Sequence, residues 1–216
     1  MGFMDGFKAN QLGTKAYRTH VSALQMKQQG KYRECMEKLE EAYRLYGEAY
    51  RMGFRKSSAL TSYGILSMQM GNFEQARELM LEAAKDKSMN EQDRFTLRVN
   101  FAICQWKMGK LDKAIETIRM ASQHKMNGLV YTTLGMLLVD QARQTGDFTE
   151  AIEFNQKAMD YDDEDPATID NMGQMNLFMS ERETDPAEKQ RLRETAKKYF
   201  NQAHELKPDQ VTTIYY

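Results

Sequence analysis

The chain is predicted to be all-α, a solenoid of about five antiparallel helical hairpins, and three observations carry that prediction. A large residue followed three places on by a large–small pair recurs along the chain, as in Leu60 with Tyr63-Gly64 and Tyr131 with Leu134-Gly135. Each such group precedes a turn glycine and then small and apolar residues spaced four and three apart. Ala76, Met80 and Ala83 after Gly71 are the most regular case, and that spacing puts all three on one helix face. Only three prolines in 216 residues leave long stretches free to be helical.

Residues 1–14, with Gly2, Gly6 and Gly13, form a lead segment that fits either a tail or a short helix packed on the first hairpin. The first hairpin, residues 15–53, carries Thr19, Ser22-Ala23 and Met26, turns at Gly30-Lys31-Tyr32, and continues through Cys35, Leu39 and Ala42. The apolar pattern runs on through Tyr46 and Tyr50, so its second helix is long. The second hairpin, residues 57–88, turns at Gly71-Asn72, where a residue without a Cβ suits a helix C-terminus.

The third, residues 91–125, starts after Asn90, a capping residue with an acid, Asp93, three places on. Phe101-Ala102, the turn at Gly109, and Ala114, Ile118 and Ala121 follow. The fourth, residues 127–163, is capped by Asn127 and turns at Gly146. Gly135 and Gly146 lie four places further apart than Gly64 and Gly71, about one helical turn, which a helix absorbs without rotating its face. The fifth, residues 166–208, opens with Asp165-Pro166 and restarts at Asp185-Pro186 with Glu188 at the third helical place. Residues 209–216 form an apolar, β-branched tail.

The second-helix position recurs at Cys35, Ala76, Ala114, Ala151 and Ala196, a period of roughly 40 residues that marks a hairpin repeat. The order resembles the tetratricopeptide repeat, best in Tyr131-x-x-Leu134-Gly135, Ala196-x-x-x-Phe200 and Pro208. The likeness covers residues 15–208. Every interval exceeds the usual unit, Pro208 is the one proline at a unit's end, and the first hairpin lacks the aromatic and glycine of the first helix. The resemblance implies a right-handed α-α superhelix whose first helices line a concave groove for a protein or peptide.

Projected onto this sequence, the implied groove holds Leu24, Thr61, Ile65, Met68, Val99, Asn100, Ile103, Trp106, Thr132, Met136, Asn171 and Gln174. It is mostly apolar, with thioethers and one indole, and such surfaces adapt to varied apolar ligands. The same residues also fit a plain core, as Met and aromatic stripes at helical spacing usually do. Family members that grip a C-terminal carboxylate use lysine, arginine and asparagine in this groove. Asn100 and Asn171 stand at matching asparagine places, but His20, Val99 and Thr132 replace the lysines, which argues against that clamp.

Composition narrows the rest. Lysine plus arginine (30) nearly balances aspartate plus glutamate (31), without the bulk basic excess of a nucleic-acid binder. No apolar run reaches the ~18 residues of a membrane span. Residues 1–12 lack the pattern of a secretory signal, and Cys35 and Cys104 fit reduced buried thiols, so a cytoplasmic location is expected. His20, His124 and His204 lie in different hairpins, and no phosphate-loop, dinucleotide or hydrolase motif occurs. Neither enzyme activity nor a cofactor is expected.

The acids at 160–165 lack the glycine and terminal glutamate of a calcium loop and fit a solvated turn. Lys189, Arg191, Arg193, Lys197 and Lys198 interleave with Glu188 and Glu194, a salt-bridged helix face. The leading functional reading is a non-catalytic interaction scaffold binding an apolar peptide or helix. The alternative is a self-assembling structural protein that uses the fifth hairpin, the tail or the Phe3/Phe7 segment.

Overall fold

A computed structural model describes residues 3–208, with side chains from residue 6 onward. The expectations for the tail and for the Phe3 side chain lie outside the described residues. Those residues form helices without a strand: α1 (Phe3–Gln28), α2 (Tyr32–Arg51), α3 (Ser57–Gln69), α4 (Phe73–Ala83), α5 (Glu91–Lys107), α6 (Leu111–His124), α7 (Gly128–Thr145), α8 (Thr149–Tyr161), α9 (Pro166–Arg182) and α10 (Pro186–Leu206). They fall into two compact units, Met1–Met108 with α1 to α5 and Gly109–Tyr216 with α6 to α10.

In the first unit α1 pairs with α2 and α3 with α4, and α5 packs on α3 and α4. In the second, α7 pairs with α8 and α9 with α10, while α6 packs on α7 and α9 on both α7 and α8. Residues 3–14 are continuous with the first helix. Ala9, Gly13 and Ala16 are buried along one side of it, and a Cβ at Gly13 would overlap the Phe54 ring. The lead segment is thus held by close packing of small residues.

Turns and caps follow local chemistry. At Gly71 (φ +78°) the chain takes the left-handed conformation that favours glycine. The Gly71 N–H donates to the Met68 carbonyl (3.1 Å) and the Asn72 N–H to the Ser67 carbonyl (2.8 Å), closing orphan carbonyls of α3. Asn90, Asn127, Asp165 and Asp185 each accept a backbone N–H at a helix start. Glu188 completes no capping box: the Asp185 N–H donates to the Glu183 carboxylate instead (3.0 Å), and Glu188 accepts two bonds from the Arg191 guanidinium at 2.7 and 2.6 Å. That pair holds its carboxyl below the usual range, first through the hydrogen bond and then through the charge. Among the described residues Glu188–Arg191 is also the ion pair of α10, whereas Glu194 accepts from Gln190.

Glycines set the closest helix approaches. A Cβ at Gly64 would stand 3.1 Å from Met80 Cγ, and one at Gly173 would stand 2.5 Å from the Phe200 ring. Both free cysteines are buried. Tyr63 on α3 is ringed by three tyrosines of α2, with centroids 5.3 Å (Tyr43), 6.0 Å (Tyr46) and 6.3 Å (Tyr50) away. His20 meets Tyr46 edge-on at 6.2 Å.

Burial pushes the Tyr46 phenol up to about 12. Burial also raises Tyr63, and the Glu82 carboxylate that accepts the Tyr50 hydroxyl raises Tyr50. A group whose folded pKa lies above its unfolded value stabilises fully below the unfolded value and loses that contribution as pH rises through the folded one. Stability is therefore expected to fall between about pH 10 and 12, by ~2–3 kcal/mol for Tyr46. Urea midpoints at rising pH check this; a slope unaltered by Tyr46→Phe contradicts the assignment.

Candidate functional site

Within the first unit α3 lies beside both α1 and α5, so one surface is built from these three first-of-pair helices. Matching Ser22-Ala23, Tyr63-Gly64 and Phe101-Ala102 puts Leu24, Ile65 and Ile103 at one place on each helix. Met68 and Trp106 lie one turn along. Leu24 is 48% exposed; Thr61, Ile65, Met68, Asn100, Ile103 and Trp106 are half-buried. Val99 is 1% exposed and is a core side chain with little surface to offer.

The polar groups of this surface are engaged by their own helices. The Thr61 hydroxyl donates to the Ser57 carbonyl (3.0 Å) and the Asn100 amide to the Thr96 carbonyl (2.9 Å). The Lys107 ammonium stands 4.1 Å from the Trp106 ring centroid, leaving the indole partly covered by a cation. What remains at the surface is aliphatic, thioether and indole.

The corresponding surface of the second unit, on α7 and α9, has another chemistry. Thr132 and Met136 are half-buried, while Asn171 is only 4% exposed. The Asn171 amide donates to the Thr132 carbonyl (3.0 Å), and the Gln174 amide to the Asp170 carboxylate (2.6 Å). Asn171 thus ties α9 to α7. Asn100 and Asn171 both donate to main-chain carbonyls, Asn171 from a buried position and Asn100 from a half-buried one.

Two neighbouring features escaped the sequence reading. Gln75 on α4 accepts from the Tyr43 hydroxyl (2.7 Å) and the Ser67 hydroxyl (3.2 Å) and donates to the Tyr63 oxygen (3.1 Å). The signal for this network was the spacing of Tyr43, Tyr46 and Tyr50, which shares one face of α2. Asn155 on α8 is fully buried against Gly135 and donates to the carbonyls of Ala151 (2.9 Å) and Gly135 (3.3 Å).

Among the described residues no group of three or more His, Cys, Asp or Glu is placed to hold a metal ion. His124 and His204 are exposed at helix ends. In the acidic turn Asp162 accepts the Glu164 N–H, and Asp165 caps α9. Among the same residues no helix is long and apolar enough to cross a membrane.

No protein-family model matches the chain, and no curated protein does. Solved structures are similar in fold. YrrB, described as a TPR protein with an unusual peptide-binding site, is 16% identical, with 97% of this chain and 94% of that one covered at a TM-score of 0.52. MamA from Desulfovibrio magneticus RS-1 is 21% identical, with 92% and 98% covered at 0.56. PilF from Pseudomonas aeruginosa is 16% identical, with 94% and 95% covered at 0.54. The likeness shows the fold: helical hairpins of tetratricopeptide type, as the large–small pairs and turn glycines predicted.

Proposed function

On the premise of a tetratricopeptide-type fold, we propose that the protein is a non-catalytic interaction scaffold that docks an apolar peptide or helix on the α1–α3–α5 surface. The observation that carries this is the Leu24, Ile65 and Ile103 row with Met68 and Trp106 beside it. It is apolar, partly open, and flanked by polar groups already bonded to their own helices. A ligand side chain covering it gains apolar burial without stranding a donor or acceptor. Peptide binding described for YrrB, which shares the fold, accords with this use. Thr132, Met136, Asn171 and Gln174 are the more polar counterpart on the second unit. The partner is a protein or peptide, and buried reduced Cys35 and Cys104 suit a cytoplasmic setting.

Trp106 is the chain's one tryptophan, so its emission reports this surface alone. Titration with a panel of amphipathic helical peptides should shift that emission to the blue for any peptide that binds. Leu24→Glu, at an exposed site, should weaken the same peptide about tenfold, or ~1.4 kcal/mol. A peptide shown to bind by calorimetry that leaves both the emission and the Leu24→Glu affinity unchanged sinks the assignment.

A further inference from the structure

The two units differ sharply in charge although the chain as a whole is nearly neutral. Lysine and arginine exceed aspartate and glutamate by five in Met1–Met108 and fall short by six in Gly109–Tyr216. The excess is concentrated. Residues 6–33 hold Lys8, Lys15, Arg18, Lys27, Lys31 and Arg33 and no carboxylate, whereas residues 144–170 hold nine carboxylates and one cation, Lys157. Among the described residues Arg18, Lys27 and Lys31 form no ion pair, and neither do Asp160, Asp162, Asp163 and Glu164.

Apolar exposure coincides with both charge patches. Phe7, Lys15, Tyr17 and Arg18 are all exposed on α1, with Lys15 on the flank towards Glu41 and Met52 of the first hairpin. Phe7, Asn10, Gln11, Thr14, Lys15 and Arg18 line one open stripe of the helix. In the acidic turn Tyr161 is 56% exposed, its ring packed on Tyr131 (4.8 Å between centroids) and flanked in sequence by Asp160, Asp162 and Asp163. Carboxylates with an aromatic edge on one surface complement cations with exposed aromatic rings on the other.

Another hairpin stacked on α1 is disfavoured. Arg18 and Gln25 stand where α3 buries Ala59 and Leu66 and where α5 buries Leu97 and Cys104. An uncapped repeat end keeps those places apolar, so this face suits a charged surface and not a continuing stack.

We propose that the exposed basic face of α1 binds a second copy of this chain through that copy's acidic turn at Tyr161. The contact is heterologous: each copy keeps one unused face, so association continues until it closes into a ring or extends. It uses neither Leu24, Ile65, Ile103 nor Trp106, and Tyr17, the nearest of its residues on the Leu24 side of α1, lies two turns away.

The test is sedimentation velocity of the full chain over a range of concentrations at ~50 mM and ~500 mM NaCl, where screening differs severalfold. Concentration-dependent species larger than the monomer are expected at low salt, collapsing to monomer at high salt. Lys15→Glu with Arg18→Glu, and separately Asp163→Lys with Glu164→Lys, should each weaken association at least ~10-fold. All four positions are exposed, and unchanged thermal melts confirm that the variants fold. Mixing the two variants should restore association, because each then offers the face its partner lacks. A wild-type chain monomeric at every concentration in low salt overturns the proposal, as does association indifferent to both reversals or not restored by mixing. A monomer that instead binds a single-stranded oligonucleotide or anionic phosphatidylserine vesicles through Lys15 and Arg18 also overturns it.

Discussion

Gly135→Leu is expected to destabilise the protein by about 3 kcal/mol, at the upper end of ordinary overpacking. A Cβ at this position on α7 would overlap Asn155 Oδ1 and stand 3.1 Å from Asn171 Nδ2. Neither amide can yield cheaply. Asn155 is fully buried and held by its bonds to the Ala151 and Gly135 carbonyls, and Asn171 is committed to the Thr132 carbonyl. Displacing either strands a buried donor, a further ~1–3 kcal/mol. Alanine decides between effects of opposite sign. It gains up to ~1 kcal/mol in helix propensity over glycine, yet its Cβ meets the same oxygen, so Gly135→Ala should still be less stable than the parent. Urea unfolding followed by circular dichroism measures both. Asn155→Ala in the Gly135→Leu background should recover part of the loss, since it removes the obstructing oxygen. A Gly135→Leu protein with an unchanged urea midpoint contradicts the α7–α8 packing.

The difference between Gly135 and its counterparts shows where sequence reading stops. Gly64, Gly135 and Gly173 each announce a close helix approach, because a small residue after a large one at helical spacing has few other uses. What fills the opposite side is a matter of tertiary packing: Met80 faces Gly64, Phe200 faces Gly173, and Asn155 faces Gly135. A flexible thioether or a ring yields where a doubly bonded amide does not, so three similar patterns carry different consequences. The helix starts were legible because Asn90, Asn127, Asp165 and Asp185 cap within three residues of themselves. The second half of the capping box at Glu188 was not, since Glu183 takes the Asp185 N–H and Glu188 turns to Arg191.

The candidate surface was partly legible on the same grounds. The hairpin pattern assigns which face of each first helix is free of its own partner, and Leu24, Ile65, Ile103 and Trp106 are accordingly partly open. The pattern does not say how deeply neighbouring helices cover that face, and Val99 and Asn171 are buried there. The charge division between the units needed the structure. The sums cancel over the whole chain, and only the unit boundary at Met108 shows what to sum separately.

Tyr63→Ala is the second large effect, expected at roughly 3–5 kcal/mol, the range for removing a buried aromatic side chain. Tyr63 is 5% exposed and sits where α2, α3 and α4 meet. Its ring contacts those of Tyr43, Tyr46 and Tyr50, and its oxygen accepts from Gln75, which in turn accepts from Tyr43. Truncation leaves a cavity among three rings whose positions depend on one another, and it strands the Gln75 amide. Tyr63→Phe separates the contributions: the ring remains and only the Gln75 acceptor is lost, so a cost of ~1 kcal/mol is expected. Gln75→Ala in the Tyr63→Phe background should then add less than it does in the parent, since the two share one hydrogen bond. Hydrogen exchange should accelerate first in α3 and α4, whose contact with α2 this ring maintains. A Tyr63→Ala protein within ~1 kcal/mol of the parent, below the range for a buried aromatic, would mean that the tyrosines of α2 repack without it. The first two hairpins would then be joined by the aliphatic contacts of Leu45, Ala59 and Leu60 instead.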